Sequence, residues 1–247
     1  LEELVVTAEE NVGPPKILIY GPPGAGKTVL AAGAPSVLHV DIEHSTRSLV
    51  NHPELRKVKV LPLSDFNQLP VLVEDLMGGA FPWAETIVID SLTEARHKAM
   101  DRQLQQASSR DASRNPNLPY QQDYLINGEI MRKMVSAFRD MDRTIVFLAH
   151  EVETTDEGSK LTYVRPSMPV KLSETMAGIF DLVARLTSEA SQHGEVRKLQ
   201  VKPSALVRVK TRIKFDESFL INPTFQQILD ANELGRLDDY EEDVTLT

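Results

Sequence analysis

Five β-prone residues, Lys16 to Tyr20 (KILIY), run straight into Gly21-Pro22-Pro23-Gly24-Ala25-Gly26-Lys27-Thr28, and a helical stretch from Thr28 to Ala34 follows, stopped by Pro35. No other segment restricts the fold as tightly. A glycine-rich turn between a strand and a helix lets backbone N–H groups converge, and the helix adds its positive N-terminal end, so the turn is a cradle for phosphate oxygens. Lys27 supplies a point charge suited to β- and γ-phosphates, and the Thr28 hydroxyl suits Mg²⁺. Gly21, Pro22, Pro23, Gly24, Ala25, Gly26, Lys27, Thr28 and Val29 are therefore expected to hold a nucleoside triphosphate, with Thr28 on the metal. The spacing alone can arise by chance; its place between a strand and a helix is what gives it meaning.

The remaining pattern alternates strands with helices. Val37 to Ile42, Val58 to Leu61, Thr86 to Asp90 and Thr144 to Ala149 read as strands, the last two as doubly buried runs. Helices are predicted over Phe66 to Met77, from Ser91 onward with Leu92, Ala95, Ala99, Met100 and Leu104 on one face, and over Tyr120 to Arg139. Ser108 to Pro119 is loop chemistry, and Glu151 to Lys171 is a long loop or loose hairpin. Further strands fall at Phe180 to Leu186, Val196 to Val201 and Leu206 to Val209, with a turn at Gln192-His193-Gly194 and a short helix after Asn222. Alternation of this kind predicts an α/β fold: a three-layer sandwich of the P-loop NTPase kind, with a mainly parallel sheet and an antiparallel edge extension. The expected organisation is a lead-in over 1–15, a core over 16–229 and an acidic tail over 230–247.

Composition adds limits. There is no cysteine among the 247 residues, which excludes disulfides, thiolate metal sites and a cysteine nucleophile. No apolar run approaches the length of a spanning helix and no charged-then-apolar signal pattern opens the chain, so a cytoplasmic protein without membrane contact is expected. The formal charge of −9 argues against nucleic acid at first sight, but Asp238, Asp239, Glu241, Glu242 and Asp243 crowd near the C-terminus. Between Arg96 and Arg114 the balance is locally positive. Charge alone leaves the partner open.

Asp90 ends the strand Ile87-Val88-Ile89 and is placed to hold Mg²⁺ through water, although an aspartate there can equally cap the next helix. Many AAA+ motors carry the catalytic glutamate directly after this aspartate, and here that position is Ser91. A base has to come from elsewhere. Glu43, just beyond the second strand, is the candidate, on the reasoning that a strand adjacent to the phosphate-binding strand ends near the γ-phosphate.

Asp41-Ile42-Glu43-His44 and Ile89-Asp90-Ser91 resemble the corresponding stretches of the RecA/Rad51-like recombinase ATPases. The chain from Lys16 to about Leu229 is similar to phage-type minimal RecA-core nucleotide-binding and single-strand annealing proteins. That resemblance implies a sandwich of RecA type, ATP and Mg²⁺ as cofactors and Glu43 as the base. It implies His150 as the polar sensor of the γ-phosphate, where bacterial RecA has glutamine, and Lys210 and Arg212 as cations reaching a neighbouring subunit's nucleotide. It also implies two DNA-binding loops, one with Arg110, Arg114 and Tyr120, the other with Lys160, Tyr163, Arg165 and Lys171.

The activity implied is ATP hydrolysis, DNA-stimulated, coupled to single-stranded DNA annealing or homologous recombination. The implied partners are single-stranded DNA, further copies of the chain in a ring or filament, and a single-strand binding protein. The competing expectation is a nucleotide-gated assembly or loader ATPase acting mainly on a protein partner in DNA replication.

Overall fold

The computed structural model describes residues 5–7, 11–168, 178–192 and 194–237. Lys171, His193 and the acidic run from Asp238 lie outside the described residues.

Alternation of apolar side chains along the central strands builds the molecule, because successive residues of a strand face opposite sides of a sheet. In β1 (Lys16–Gly21), Leu18 and Tyr20 enter one core while Ile17 and Ile19 enter the other. The same split runs through β4 (Thr86–Asp90) and β5 (Thr144–Thr155): Ile87, Ile89, Ile145 and Phe147 face one side, Val88, Val146 and Leu148 the other. On the first side lie α3 (Gln68–Met77), through Leu69, Leu72 and Leu76, and α5 (Gln121–Arg139), through Met131, Met134, Val135 and Phe138. Phe138, Phe147 and Phe180 interlock there edge to face, at 5.9 and 5.7 Å between centroids. On the second side lie α1 (Lys27–Ala32) and α6 (Phe225–Leu237), through Leu30, Ala31, Phe225 and Ile228. A sheet with helices on both faces is the three-layer sandwich the pattern predicts.

A short helix α2 (Thr46–Val50) follows β2 (Val37–Asp41), and the other strands are β3 (Lys59–Pro62), β6 (Thr162–Pro166), β7 (Leu182–Ser191), β8 (Gly194–Gln200), β9 (Lys210–Thr211) and β10 (Phe219–Ile221). Their order is β10-β8-β7-β1-β5-β4-β2-β3, with β6 paired to β5 and β9 to β7. From β7 to β3 the pairs are parallel, while β8, β9 and β10 extend the sheet antiparallel.

The polar segment after His150 takes the hairpin alternative: β5 continues to Thr155 and pairs with β6 as an antiparallel ribbon, Glu151 opposite Pro166 through Thr155 opposite Thr162. Two local expectations need correction. Leu206 to Val209 is not a strand; Val207 makes an isolated bridge to Val164, and the ladder forms at Lys210–Thr211. Most consequentially, β2 is not adjacent to β1, because β5 and β4 stand between them.

The helix α4 (Leu92–Arg110) leaves the end of β4, and α5 returns to the start of β5. Gln103 Nε2 donates to Asp123 Oδ1 at 3.0 Å and Asn127 Nδ2 donates to the Arg96 carbonyl at 3.3 Å, so the two helices run antiparallel. Arg96 lies six positions past Asp90, and α4 has fourteen residues still to run. At 1.5 Å per residue α4 reaches about 20 Å further, accompanied over its first half by the six residues of α5 that precede Asn127, and the two form a helical arm.

Candidate active site

The carboxyl ends of β1, β5, β4 and β2 meet at one edge of the sheet, and the glycine-rich turn sits on it. Gly24 and Gly26 hold φ of +80° and +92°, conformations that side chains rarely permit, and Gly26 is the N-cap of α1. Gly21 is a glycine for a different reason: a methyl group there would lie 2.0 Å from the Leu186 carbonyl oxygen of β7. A pocket of about 310 Å³ opens at this edge, lined by residues that include Pro23, Gly24, Gly26, Lys27, Thr28, Val29, Glu43, Ser45 and His150. That volume falls at the small end of ligand clefts.

Lys27 is buried, and its Nζ donates to the carbonyls of Gly21 at 3.0 Å and Pro22 at 2.9 Å. Burial lowers the pKa of its amine, against the raising effect of Glu43, Asp90 and Glu151 nearby. Asp90 Oδ2 accepts from the Thr28 hydroxyl at 2.7 Å and from the Ser45 hydroxyl at 2.8 Å, and His39 Nε2 lies 3.4 Å away. Burial pushes the Asp90 carboxyl up, but His39 and the two hydroxyls outweigh it and hold the group below the usual carboxylate range. An anionic carboxylate touching a threonine hydroxyl is a donor set that accepts a hard cation. The capping role open to Asp90 falls instead to Ser91, whose Oγ accepts from the Glu94 N–H.

Glu43 arrives by a route that strand adjacency did not foresee. Neighbouring strands are about 4.8 Å apart, so β2 ends two spacings from β5. The chain covers that gap by turning across the end of β4, where the N–H groups of Ile42 and Glu43 both donate to the Asp90 carbonyl, at 2.7 and 3.1 Å. His44 follows at φ +59°. Asp41 secures the turn, accepting from the Ser45 N–H at 2.8 Å and from Thr46. Glu43 Oε1 then lies 2.9 Å from His150 Nε2 at the end of the β5 core segment. The His150 N–H donates to Thr93 Oγ1, and its Nδ1 is buried without a hydrogen-bond partner among the described residues.

Lys210 and Arg212 stand at the other edge of the sheet. Lys210 Nζ donates to the Phe180 carbonyl at 2.8 Å; Arg212 donates to the Gly178 carbonyl at 2.9 Å and pairs with Asp181 at 3.3 Å. With Thr211 opposite Leu182, itself opposite Ile17, the pair sits near the start of β1, away from its own subunit's phosphate turn.

Of the loop residues, Arg110 ends α4 and is exposed. Arg114 is paired with the buried Asp123 and lies over the Tyr120 ring at 4.7 Å, while the Tyr120 N–H donates to Asp123 at 2.7 Å. These contacts fold the first loop onto α5. In the ribbon, Lys160 is exposed in the turn before β6 and Arg165 donates to Thr154 Oγ1 and to the Pro166 and Met168 carbonyls.

Sequence reasoning missed Ser45, which shares Asp90 with Thr28, although Asp41 four residues earlier is a turn signal pointing to it. It also missed Arg197 of β8, which lines the pocket; nothing in the local sequence marks that residue.

A glycine-rich turn between β1 and α1 in a three-layer sandwich, with Lys27 and Thr28 facing an anionic Asp90, defines an ATP-binding and ATP-hydrolysing P-loop ATPase domain. Residues 13–213 match the AAA domain family, and the chain belongs to that family. No curated protein matches it. Among solved structures it is similar to the flagellar accessory protein FlaH from Methanocaldococcus jannaschii, at 11% identity and a TM-score of 0.45, over 86% of this chain and 88% of that one. The family match supports the ATPase class and stops short of a recombinase. Among the described residues no helix is long and apolar enough to cross a membrane.

Proposed function

We propose that this chain is a nucleotide-gated switch in which Glu43 orients and deprotonates the attacking water, and whose arm and ribbon engage a protein partner. The carrying observation is the 2.9 Å contact between Glu43 Oε1 and His150 Nε2 inside the pocket that holds the phosphate turn. Glu43 lines the same pocket as Lys27, where a carboxylate would face the water attacking a terminal phosphate held by the lysine. His150 lies where β5 passes from the sheet core into the ribbon, so nucleotide occupancy that moves Glu43 acts directly on the ribbon's root. Thr28 and Asp90 would hold Mg²⁺, which supplies charge neutralisation on the phosphates when bound. Lys210 and Arg212, turned away from their own site, would serve a neighbouring copy only by giving up their contacts to Phe180, Gly178 and Asp181.

The protein partner is favoured by the arm. Leu118, Tyr120, Tyr124 and Leu125 are 57%, 52%, 53% and 64% exposed around its end, and grouped exposed apolar side chains mark interaction surfaces. Single-stranded DNA is the second reading, favoured by Arg110, Lys160 and Arg165 accompanied by Tyr120 and Tyr163, cations and stacking faces of the kind a single strand uses. Annealing or recombination, and a single-strand binding protein as helper, would follow from that reading only.

Steady-state ATP hydrolysis by Glu43→Gln tests the switch: turnover is expected to fall about 10²- to 10⁴-fold while ATP affinity survives, and unchanged turnover removes Glu43 from the mechanism. Anisotropy of a labelled oligonucleotide across a salt series decides the partner. Salt-sensitive binding lost in Arg110→Ala/Lys160→Ala supports DNA; absence of binding with and without ATP leaves the protein reading.

A further inference from the structure

Arg197 belongs to β8, in the antiparallel extension, about 170 residues from the phosphate turn in sequence (a rough count along the chain). Its side chain nevertheless rests on that turn. A methyl group built on Gly26 would lie 2.8 Å from Arg197 Nε and 2.9 Å from its Cζ, so the guanidinium covers the Gly26 α-carbon. The backbone beneath it is held twice by one residue: the Arg197 N–H donates to Asn222 Oδ1 at 3.0 Å, and the Asn222 N–H donates to the Arg197 carbonyl at 2.7 Å. On β7 it stands opposite Ser188. The side chain itself is lightly tethered. Its ion-pair partner among the described residues is Glu195, at 3.5 Å and half exposed.

A guanidinium carries five N–H donors in a planar fork that matches phosphate oxygens two at a time. Within the pocket lining the other fixed cation is Lys27, two of whose three donors are occupied by carbonyls, and the carboxylate facing them is Glu43. A triphosphate arriving here brings more negative charge than Lys27 alone offsets.

We propose that Arg197 is a cis-acting phosphate clamp: the β7–β8 hairpin supplies a guanidinium that binds the polyphosphate of the nucleotide held by the same subunit. This rests on the ATPase reading of the pocket and adds a residue to it. It also ties the antiparallel extension to nucleotide occupancy, since phosphates seated on the turn would engage a side chain that β8 carries.

The test is equilibrium binding of a fluorescent ATP analogue to wild type, Arg197→Ala, Arg197→Lys and Lys27→Met, with competition by ATP and by inorganic tripolyphosphate. Arg197→Ala is expected to lose about 10- to 100-fold in affinity for both competitors, and Arg197→Lys to recover part of it. Wild-type affinity in Arg197→Ala overturns the proposal. A loss seen with ATP but not tripolyphosphate also overturns it, because the contact would then be to base or ribose. If Lys27→Met binds normally, the nucleotide site itself is misassigned, a distinguishable failure. Mixing Arg197→Ala with Lys27→Met checks the cis arrangement: no recovery of binding supports it, and recovery shows that the guanidinium acts between subunits. Thermal melting of Arg197→Ala close to wild type confirms that the loss is local.

Discussion

Two lysines mark the two ends of β1, one opening the strand and one opening the helix after it, and they differ by one hydrogen bond. Lys16 begins β1, and its Nζ donates to three carbonyls, those of Pro14 at 2.9 Å, Met141 at 2.9 Å and Arg143 at 2.6 Å. Lys27 follows the turn that ends β1 and donates to two. An ammonium has three donors, so Lys16 is saturated by its own chain while Lys27 keeps one donor for something else. Both are buried, and burial lowers both amines. The neighbourhood repeats the contrast. At the Lys16 end the chain meets its own needs, with the Lys16 N–H on Asp181 and Arg212 on Asp181 and Gly178. At the Lys27 end, His150 Nδ1 is left without a partner among the described residues and Arg197 is loosely held. Equal burial does not mean equal purpose; the count of acceptors separates a structural cation from a ligand-binding one.

Paired substitutions by methionine put the contrast at risk. Lys27→Met is expected to lower ATP turnover about 10²- to 10³-fold, the usual cost of removing one preorganised charge from a transition state, with chemical-denaturation stability within about 1 kcal/mol of wild type. Lys16→Met should do the reverse. Loss of its three bonds leaves carbonyls unpaired at the root of β5 and is expected to cost about 2–4 kcal/mol of stability, with ATP affinity retained. A variant pair showing the same phenotype would dissolve the distinction.

The smallest effect is on alkaline stability. An amine lowered in the fold gives up its proton before the unfolded chain does. Between the lowered value and the ordinary one near 10.5 the unfolded state therefore holds more protons, and stability rises with pH. The window closes from above, because burial raises the Tyr20 hydroxyl and that group works in the opposite sense beyond its ordinary value near 10. Denaturation midpoints measured from pH 8 to 10 should climb less in Lys16→Met than in wild type. Parallel slopes would mean that Lys16 does not carry the effect.

The features legible in the sequence are the ones that local chemistry specifies. Lys16 to Thr28 declares a strand, a turn and a helix through apolar content and glycines, and Ile87 to Asp90 declares a buried strand ending in a carboxylate. Strand order is settled by how helices pack on two faces, and neighbours along the chain do not reveal it. The expectation that β2 lies beside β1 was therefore wrong, although Glu43 reaches the pocket by crossing the end of β4. The β5–β6 ribbon stays undecided between loop and hairpin in the sequence because its outer half leaves the sheet: Glu153 to Thr155 are exposed and follow no buried-exposed alternation. Arg197 is invisible in the sequence because only the assembled sheet brings its side chain over Gly26.

The first glycine of the phosphate turn has a consequence for anyone altering this chain. With the Leu186 carbonyl 2.0 Å from where its methyl would sit, Gly21 is the seam along which β1 and β7 are stitched. Alanine at that position would wedge the two strands apart and loosen the attachment of the whole β7–β10 edge, a lesion of architecture that an activity assay alone would mistake for a defect in binding ATP.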